Sequence, residues 1–428
     1  MLTGIAREIA QKGGRAFYTG GYARNRVNHE NAALTNDVDI EVFHLGLAEL
    51  ITLLAQYGEV KTMGKIFPII KIKGYPQWDF TIAPGDSYAE AARRRDFTIN
   101  SLMVDILSGK IMDYTGGRKD LAARLIRHTN PQIFTDDPLR VYRGAVLAAR
   151  LGFSIHPATL ELMKRTDLQS IPPERVQAEL NKLLLLSSKP SIGLRYLEIS
   201  GLLLQLHPEL YALIACEQEP KNHPEGNVWE HTLKVVDMAA HLKSLSRNPA
   251  ALMWAALLHD IGKPAASIWQ DGKITTYGHD IKGSQLAAEF LHDLRCSNAL
   301  IENVTRLIRE HMHPVLLYKQ KDSVTDKAIR KLAHRIDINE LLLLAEADYR
   351  GRGMKRDFDP IRSWMLNRVT ALGLEPGEQI KALVKGRDLL PLGLQPGIVF
   401  KKLLEMAWEM QLEGLSKEDI LQALQNEI

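Results

Sequence analysis

Over the first 130 residues, apolar and polar positions alternate in short runs. Residues 17–19, 38–43, 66–73 and 78–83 combine that alternation with Ile, Phe and Trp, the content of strands. Gly74-Tyr75-Pro76-Gln77 separates the last two as a turn. Residues 45–57 and 120–127 instead repeat apolar positions at helical spacing. Beyond about residue 136 strand signals almost vanish. Long Leu/Ala-rich stretches at helical spacing run to the end, broken by Pro172-Pro173, Pro190, Pro220, Pro264 and Pro360. The pattern predicts an α+β protein with a small mixed α/β head and a long all-α body.

Composition narrows this picture. A chain of 428 residues exceeds one ordinary core and predicts two to four domains. At 45% hydrophobic and 25% charged it is a folded globular protein, which excludes disorder, collagen and coiled coil. No apolar run approaches the ~18–20 residues of a membrane helix, so no membrane partner is expected. The N-terminus, MLTGIAREIAQKGG, lacks a basic start and apolar block, and a cytoplasmic location is expected. Cys216 and Cys296 fit no CxxC pattern and are expected as reduced thiols. A net charge of +3 does not imply a nucleic-acid partner. Its distribution says more: residues 93–150 carry eleven Lys/Arg against six Asp/Glu.

The densest chemistry is Gly20-Gly21-Tyr22-Ala23-Arg24 followed by Asp37-Val38-Asp39. Side chains two apart on a strand share a face, so Asp37 and Asp39 are presented together and repel unless a cation joins them. Mg²⁺ prefers such oxygen ligands and combines one or two carboxylates with substrate phosphates. Two ions ~3.5–4 Å apart suit phosphoryl transfer with a pyrophosphate leaving group. Asp79, on a later strand, is the natural third ligand. A glycine pair after a strand permits close backbone approach to a triphosphate. Taken alone, a DxD is more often a solvated surface strand, and a glycine pair a turn.

Three further segments follow in order: Arg93-Arg94-Arg95-Asp96-Phe97-Thr98-Ile99-Asn100, Asp113-Tyr114-Thr115-Gly116-Gly117-Arg118-Lys119-Asp120-Leu121 and Asp136-Asp137-Pro138-Leu139-Arg140-Val141-Tyr142-Arg143. With the two motifs before them, they resemble the bacterial-type class of the tRNA nucleotidyltransferase and poly(A) polymerase family, over residues 15–210. Residues 223–350 resemble the HD phosphohydrolase domain that some bacterial members carry. The resemblance implies a nucleotidyltransferase head whose Asp37 and Asp39, with Asp79, hold catalytic Mg²⁺. It implies that Gly20, Gly21 and Arg24 engage the triphosphate, that Arg94, Arg95, Asp96 and Asn100 bind phosphate and ribose, and that Asp137 and Arg140, with Arg143 nearby, read the incoming base. Read from the residues, Asp137 and Arg140 stand at i and i+3 of a predicted helix and so share a face. A carboxylate accepts from the exocyclic amine of C or A, and a guanidinium donates to ring acceptors, so the pair favours C and A over U and G. Without the other motifs the same pair reads as a surface ion pair, Arg93–Arg95 as a solvated basic loop, and Asn100 as a helix cap. Pro173-Glu174-Arg175 resembles the family's neck motif, with a Glu–Arg helix network as its role.

Three departures bear on activity. Asn25 stands where the family has Asp after the arginine. The stretch 25–37 is longer than usual and lacks Leu-Leu-Gly. The segment between Asp79 and Arg94 is short, as in relatives that add only the two cytidines, whereas members adding both C and A carry a longer mobile loop there.

In the body, His231, His259-Asp260 and Asp348 lie on predicted helices and supply mixed nitrogen and oxygen ligands for a second divalent metal: Mg, Mn, Ni or Co. His279-Asp280 and His292-Asp293 are further His-Asp pairs, but only His259-Asp260 ends an apolar helix. His279 and His311 are further candidate ligands, and His313 reads as surface or core. The other reading is a helical fold whose histidines satisfy hydrogen bonds. Lys385-Gly386-Arg387-Asp388-Leu389-Leu390 and Leu394-Gln395-Pro396-Gly397 resemble a tail segment that packs or grips RNA.

The expected organisation is a catalytic head (1–130), a helical nucleotide-selecting and RNA-binding neck (131–215), an HD-type domain (216–355) and a helical tail (356–428). The expected activity is template-independent addition of C, and A if the short loop permits it, from CTP and ATP to the tRNA 3′ end. Rival expectations are a poly(A) polymerase, an HD phosphohydrolase whose degenerate head binds RNA, and a non-catalytic RNA-binding protein.

Overall fold

The structure is a computed structural model that describes the chain except residues 29–36, 65–67, 169–170, 222, 271–272, 354–356, 376, 378–379, 393–394, 396 and 427–428. The chain divides into two compact units: residues 1–172 with 192–206, and residues 173–191 with 207–428.

The first unit opens with α1 (Leu2–Gln11), β1 (Arg15–Tyr18), α2 (Gly20–Val27), β2 (Val38–Phe43), α3 (Leu47–Leu54), β3 (Val60–Met63), β4 (Ile69–Ile72), β5 (Tyr75–Ile82) and α4 (Tyr88–Arg94). It continues through β6 (Met103–Asp105), β7 (Ile111–Met112), α5 (Gly117–Ala122), β8 (Leu125–Ile126), α6 (Ile133–Asp136), α7 (Arg140–Leu151), β9 (Ser154–Ile155) and α8 (Pro157–Arg165). Strands β1 to β7 form one sheet in the order β3-β4-β5-β2-β1-β6-β7. The β2–β5 pair is parallel and the other pairs in this sheet are antiparallel. Strand β2 shows why. Val38, Ile40 and Val42 face one way and join Ile5 and Ile9 of α1 and Leu50 and Leu53 of α3 in a core cluster. Asp39 and Glu41 therefore face the other way, away from those helices.

The alternation located β1, β2, β4 and β5 but not β3, β6 or β7, which are two to four residues long. The expected strand at 66–73 falls partly on residues 65–67, outside the described residues; its described part is β4. The turn expected at 74–77 is tighter, because β5 already begins at Tyr75. The helix expected at 120–127 is instead the end of α5 followed by β8, where Asp120 is buried against Thr98 and Arg127 rather than on a helix face.

The second unit contains α9 (Pro173–Leu186), and α10 (Pro190–Ile199) carries the chain across the boundary to α11 (Leu202–Leu206). Then come α12 (Pro208–Ala215), α13 (Val228–Leu242), α14 (Pro249–Leu258), α15 (Lys263–Ala266), β10 (Ile268–Gln270), β11 (Lys273–Thr275), α16 (His279–Asp293) and α17 (Asn298–Glu310). The unit ends with α18 (His313–Lys319), α19 (Asp326–Arg335), α20 (Ile338–Gly351), α21 (Asp359–Ala371), α22 (Gly386–Leu389), α23 (Ile398–Glu413) and α24 (Lys417–Gln425). Strands β9, β10 and β11 correct the expectation of an all-helical body. They are two or three residues long, too short to show a period. Helix α14 is apolar all round, buried from Ala251 to Leu258, and is the central helix of this unit. Among the described residues no helix is long and apolar enough to cross a membrane.

Candidate active sites

In the head, the parallel register pairs Asp39 directly with Asp79. Asp37 lies immediately before β2 rather than on it, exposed at the strand's entry. Burial pushes the Asp39 carboxyl above its ordinary range; Asp79 and Asp37 push the same way, and Arg95 and Arg143 oppose them. Lys71 Nζ stands 2.5 Å from Asp79 Oδ1. Gly20 opens α2 at φ +62°, and a Cβ there would meet Asp39 Oδ2 at 2.4 Å. Only glycine lets the carboxylate sit against the start of this helix, whose N-terminal N–H groups favour anions. Asp39, its proton affinity raised by burial and by Asp79 and Asp37, offers with them three acidic oxygen donors beside such a turn, a set that fits Mg²⁺.

Around this core the RRD segment forms a braced network. Arg143 Nη2 pairs with Asp96 Oδ2 at 2.8 Å, and Asn100 Nδ2 donates to Asp96 Oδ1 at 3.2 Å. The buried Arg24 donates from Nη1 to Asn100 Oδ1 (2.8 Å) and from Nε and Nη2 to Asn25 Oδ1 (3.2 and 3.0 Å). Asn25 thus keeps an acceptor for Arg24 but brings no charge. Arg95 pairs with the buried Glu41 at 2.8 Å, and Arg94 donates to Pro84 O at 2.8 Å. Glu41 is an acidic residue of this face that the DxD pattern did not single out.

Asp137 and Arg140 do not share a helix face. Asp137 is extended (φ −149°) at the end of α6, and α7 begins at Arg140. Pro138 accounts for the break, since the residue before a proline is disfavoured in the α region. Arg140 Nη1 donates to Ile133 O at 2.8 Å, while its Nε is buried without a hydrogen-bond partner among the described residues.

The segment from Asp79 to Arg94 is a tight connection. Only residues 83–87 join β5 to α4. Ser87 caps α4 through Glu90 N, and His44 holds Asp86 (3.1 Å) and the Tyr88 hydroxyl (3.0 Å) with its two ring nitrogens. The long stretch at 25–37 lies mostly outside the described residues, as do Leu394 and Pro396 of the tail.

In the second unit, the ends of apolar helices deliver polar groups to the interior. His259 and Asp260 follow α14, Asn227 caps α13 and sets His231 in its first turns, and Asp348 comes from the last turns of α20. All four are buried, as are His279 and His311. Gly262 lets α16 approach, because a Cβ there would stand 2.2 Å from His279 O. His231, His259 and Asp348 form one potential ligand set, and Asp260, His279 and His311 a second.

Hydrogen bonding fixes the tautomers. His259, His279 and His311 place Nδ1 at 3.0, 2.7 and 2.6 Å from the carbonyls of Ala256, Thr276 and Ile308. A carbonyl only accepts, so each Nδ1 carries the proton and each Nε2 turns a lone pair inward. His231 Nδ1 stands 2.7 Å from Glu225 Oε1, which requires the proton on Nδ1 there too. His231 Nε2 and His259 Nε2 then face each other at 3.2 Å; a metal there would take both lone pairs. Without one, burial of His231 is outweighed by the carboxylates of Asp348 and Glu225, which make it hold its proton more tightly than a free imidazole. His231 Nε2 is also 3.0 Å from Asp348 Oδ1, and His259 Nε2 is 3.1 Å from Asp260 Oδ2. Two ligands of one ion at about 2.1 Å stand about 3 Å apart when they meet it at right angles, so the donor set fits a divalent metal. Burial, with His259 and His279 adding to it against Asp260 and Asp348, pushes His311 down to about 4, keeping it neutral as a ligand must be. Burial raises the Asp260 and Asp348 carboxyls, but the groups facing them, the His259 ring and Lys263 for one and Arg352 and the His231 ring for the other, hold both well below the carboxylate range. His313 is half-exposed and pairs with Glu310, outside the cluster. A cavity of about 430 Å³ opens onto the cluster, lined by His223, Asp260, Lys263, His279, Asp348 and Arg352 among others. His223 and Glu225 precede α13 in a loop and carry no helical period, so no spacing rule added them to the ligand set.

Residues 77–127 match the family described as "Poly A polymerase head domain", 152–213 "Probable RNA and SrmB- binding site of polymerase A", and 228–352 "HD domain". The Multifunctional CCA protein of Actinobacillus pleuropneumoniae serotype 5b is 36% identical over 293 residues, 65% of this chain and 69% of that protein. That of Xanthomonas campestris pv. campestris (strain B100) is 34% identical over 337 residues, 76% and 78% of the two chains. The chain belongs to the multifunctional CCA protein family. It is therefore a nucleotidyltransferase. The fold agrees: the CCA-adding enzyme of Bacillus stearothermophilus, solved in complex with CTP, matches with a TM-score of 0.67 at 20% identity, covering 100% of this chain and 96% of that one. The Thermotoga maritima CCA-adding enzyme, solved with tRNA, matches at 0.62 and 17% identity over 99% and 94%. Within this CCA-protein fold, the head and HD sites lie in separate compact units.

Proposed function

We propose that this chain extends the 3′ end of tRNA with C from CTP and stops before A, and that its HD site is a separate metal-dependent phosphohydrolase. In the first reaction the tRNA 3′-hydroxyl attacks the α-phosphate of CTP and pyrophosphate leaves. Asp39 and Asp79, paired across β2 and β5, hold Mg²⁺ together with Asp37. Bound there, Mg²⁺ would stabilise charge on the reacting phosphates. Gly20 and Gly21 bring backbone N–H groups to the triphosphate at the start of α2. Arg24, Asn100, Asp96 and Arg143 brace the nucleotide site, with Arg94 and Arg95 supplying positive charge beside it. Asp137 and Arg140 read the base from two separate helix ends. Catalysis is mostly positioning and electrostatics. The RNA is recognised by shape and backbone, through the basic stretch 93–150.

Restriction to C rests on the five-residue connection between β5 and α4, held by His44, Ser87 and Arg94. No length is left there for an arm that reshapes the base pocket after CC. The test uses tRNAs ending at the discriminator base, at C and at CC, each with CTP, ATP or both. Two C and no A are expected; full CCA addition overturns the restriction, and addition of A alone replaces the reading with a poly(A) polymerase.

The HD reading rests on two inward-facing histidine lone pairs at 3.2 Å beside buried carboxylates. Lys263 and Arg352 line the same cavity and would hold a phosphate oxyanion there. Hydrolysis of simple phosphoesters that disappears in His259→Ala is the expected result.

A further inference from the structure

Immediately before α13 the chain runs His223-Pro224-Glu225, and these two ionisable side chains meet the HD cluster without belonging to its ligand sets. The Glu225 side chain is fully buried, and its Oε1 stands 2.9 Å from His223 Nδ1 and 2.7 Å from His231 Nδ1. One carboxylate oxygen thus faces the protonated nitrogen of two histidines. His223, His231 and Glu225 are close enough to be considered an ion site of their own. Chemistry argues otherwise. Both histidines turn Nδ1 to one carboxylate oxygen, where a proton and not a lone pair is needed, and His231 keeps its Nε2 for His259 and Asp348.

The two histidines then diverge. His231 is wholly buried and presents Nε2 to His259 and Asp348. His223 keeps about 12% of its side chain exposed and lines the 430 Å³ cavity together with Lys263 and Arg352. Outer carboxylates of this kind fix the tautomer and orientation of a metal-bound imidazole and raise its basicity. With Nδ1 tied to the same carboxylate, His223 is left with Nε2 for whatever occupies the cavity.

We propose that Glu225 is the positioning carboxylate of the HD metal centre and that His223, held by the same oxygen, is a substrate-contacting residue whose Nε2 accepts a hydrogen bond from a phosphate hydroxyl (P–OH) in the cavity. The proposal rests on the HD metal reading above and adds two residues to it. Glu225 acts through His231 and sets metal affinity. His223 acts on the phosphoester and leaves the metal untouched.

The experiment titrates Co²⁺ into the full-length chain, since visible Co²⁺ absorption reports nitrogen ligation and the head's set of Asp37, Asp39 and Asp79 offers only oxygen. Inorganic phosphate is then added and the spectral change followed. In Glu225→Gln, which keeps shape and one acceptor, Co²⁺ affinity is expected to fall about ten- to a hundredfold. In His223→Gln, Co²⁺ affinity stays within about twofold of wild type while phosphate affinity falls about tenfold, the loss of one hydrogen bond to a charged group. C addition to tRNA by both variants checks that the chain is folded. Wild-type Co²⁺ affinity in Glu225→Gln overturns the role of Glu225, and wild-type phosphate affinity in His223→Gln overturns that of His223. If the wild-type chain gives no nitrogen-ligated Co²⁺ band, or His259→Ala keeps it, the HD metal reading itself fails and takes this inference with it.

Discussion

Asp39 is a residue whose usefulness and whose cost have one origin. Burial, with Asp79 and Asp37 beside it, raises its proton affinity above that of a free carboxylate. A carboxyl whose folded value lies above its unfolded one stabilises the fold only at acid pH, and that contribution is lost as pH rises through the folded value. At neutral pH without metal, ionised Asp39 therefore works against the head, and Mg²⁺ relieves the repulsion. Asp39→Asn is expected to raise the melting temperature by a few degrees in EDTA, to lose the further rise that Mg²⁺ gives the wild type, and to abolish C addition. Differential scanning fluorimetry with and without Mg²⁺ decides it. An unchanged or lower melting temperature in EDTA means the carboxylate is already neutralised within the protein, with Arg95 and Lys71 the groups to examine. At this scale the sequence was informative, because DxD, RRD and HD each put chemistry at fixed spacing. The partners of those groups were hidden. Nothing in the spacing reveals that Asn25 and Asn100 converge on Arg24, or that Glu225 bridges two histidines, since each contact is made by folding.

Elements decide which of those residues meet. Alternation in 38–43 makes a strand legible, but its parallel pairing with 75–82, forty residues on, follows from an α3 crossover that no local period encodes. That register makes Asp79 the neighbour of Asp39. Pro138 works against one helix through Asp137 and Arg140, because the residue before a proline is disfavoured in the α region, and the i, i+3 spacing alone does not carry that. Helix placement around the HD cluster depends on Gly262. A Cβ there would also stand 2.5 Å from Gly283 N, so Gly262→Ala must push α16 away and take His279 with it. Overpacking of this kind costs about 1–3 kcal/mol. The variant is expected to lose that much in urea denaturation and to bind Co²⁺ more weakly, with His279 lost from the site. Wild-type metal affinity in a folded Gly262→Ala chain would show that His279 is not a ligand.

On the scale of the whole molecule, the two proposed chemistries draw on disjoint residues. Asp37, Asp39 and Asp79 belong to the first compact unit, while His231, His259, Asp260 and Asp348 belong to the second. No residue is shared between the two donor sets, and mutational effects at sites with no common partners add. Asp37→Ala removes one of the acidic groups around the reacting phosphates, and losing such electrostatic stabilisation costs about a hundred- to a thousandfold in turnover. The same variant is expected to keep wild-type phosphoester hydrolysis. His259→Ala is expected to do the reverse, losing hydrolysis and the nitrogen-ligated Co²⁺ band while adding C to tRNA at the wild-type rate. The double variant should show each single loss and nothing more. Both reactions run on one preparation, CTP incorporation into tRNA and release of phosphate from a phosphomonoester, are enough to measure all four forms. If one substitution lowers both activities in protein of unchanged melting temperature, a ligand or a conformational equilibrium connects the units. The HD centre would then have to be treated as a regulator of the head rather than a second enzyme on the same chain.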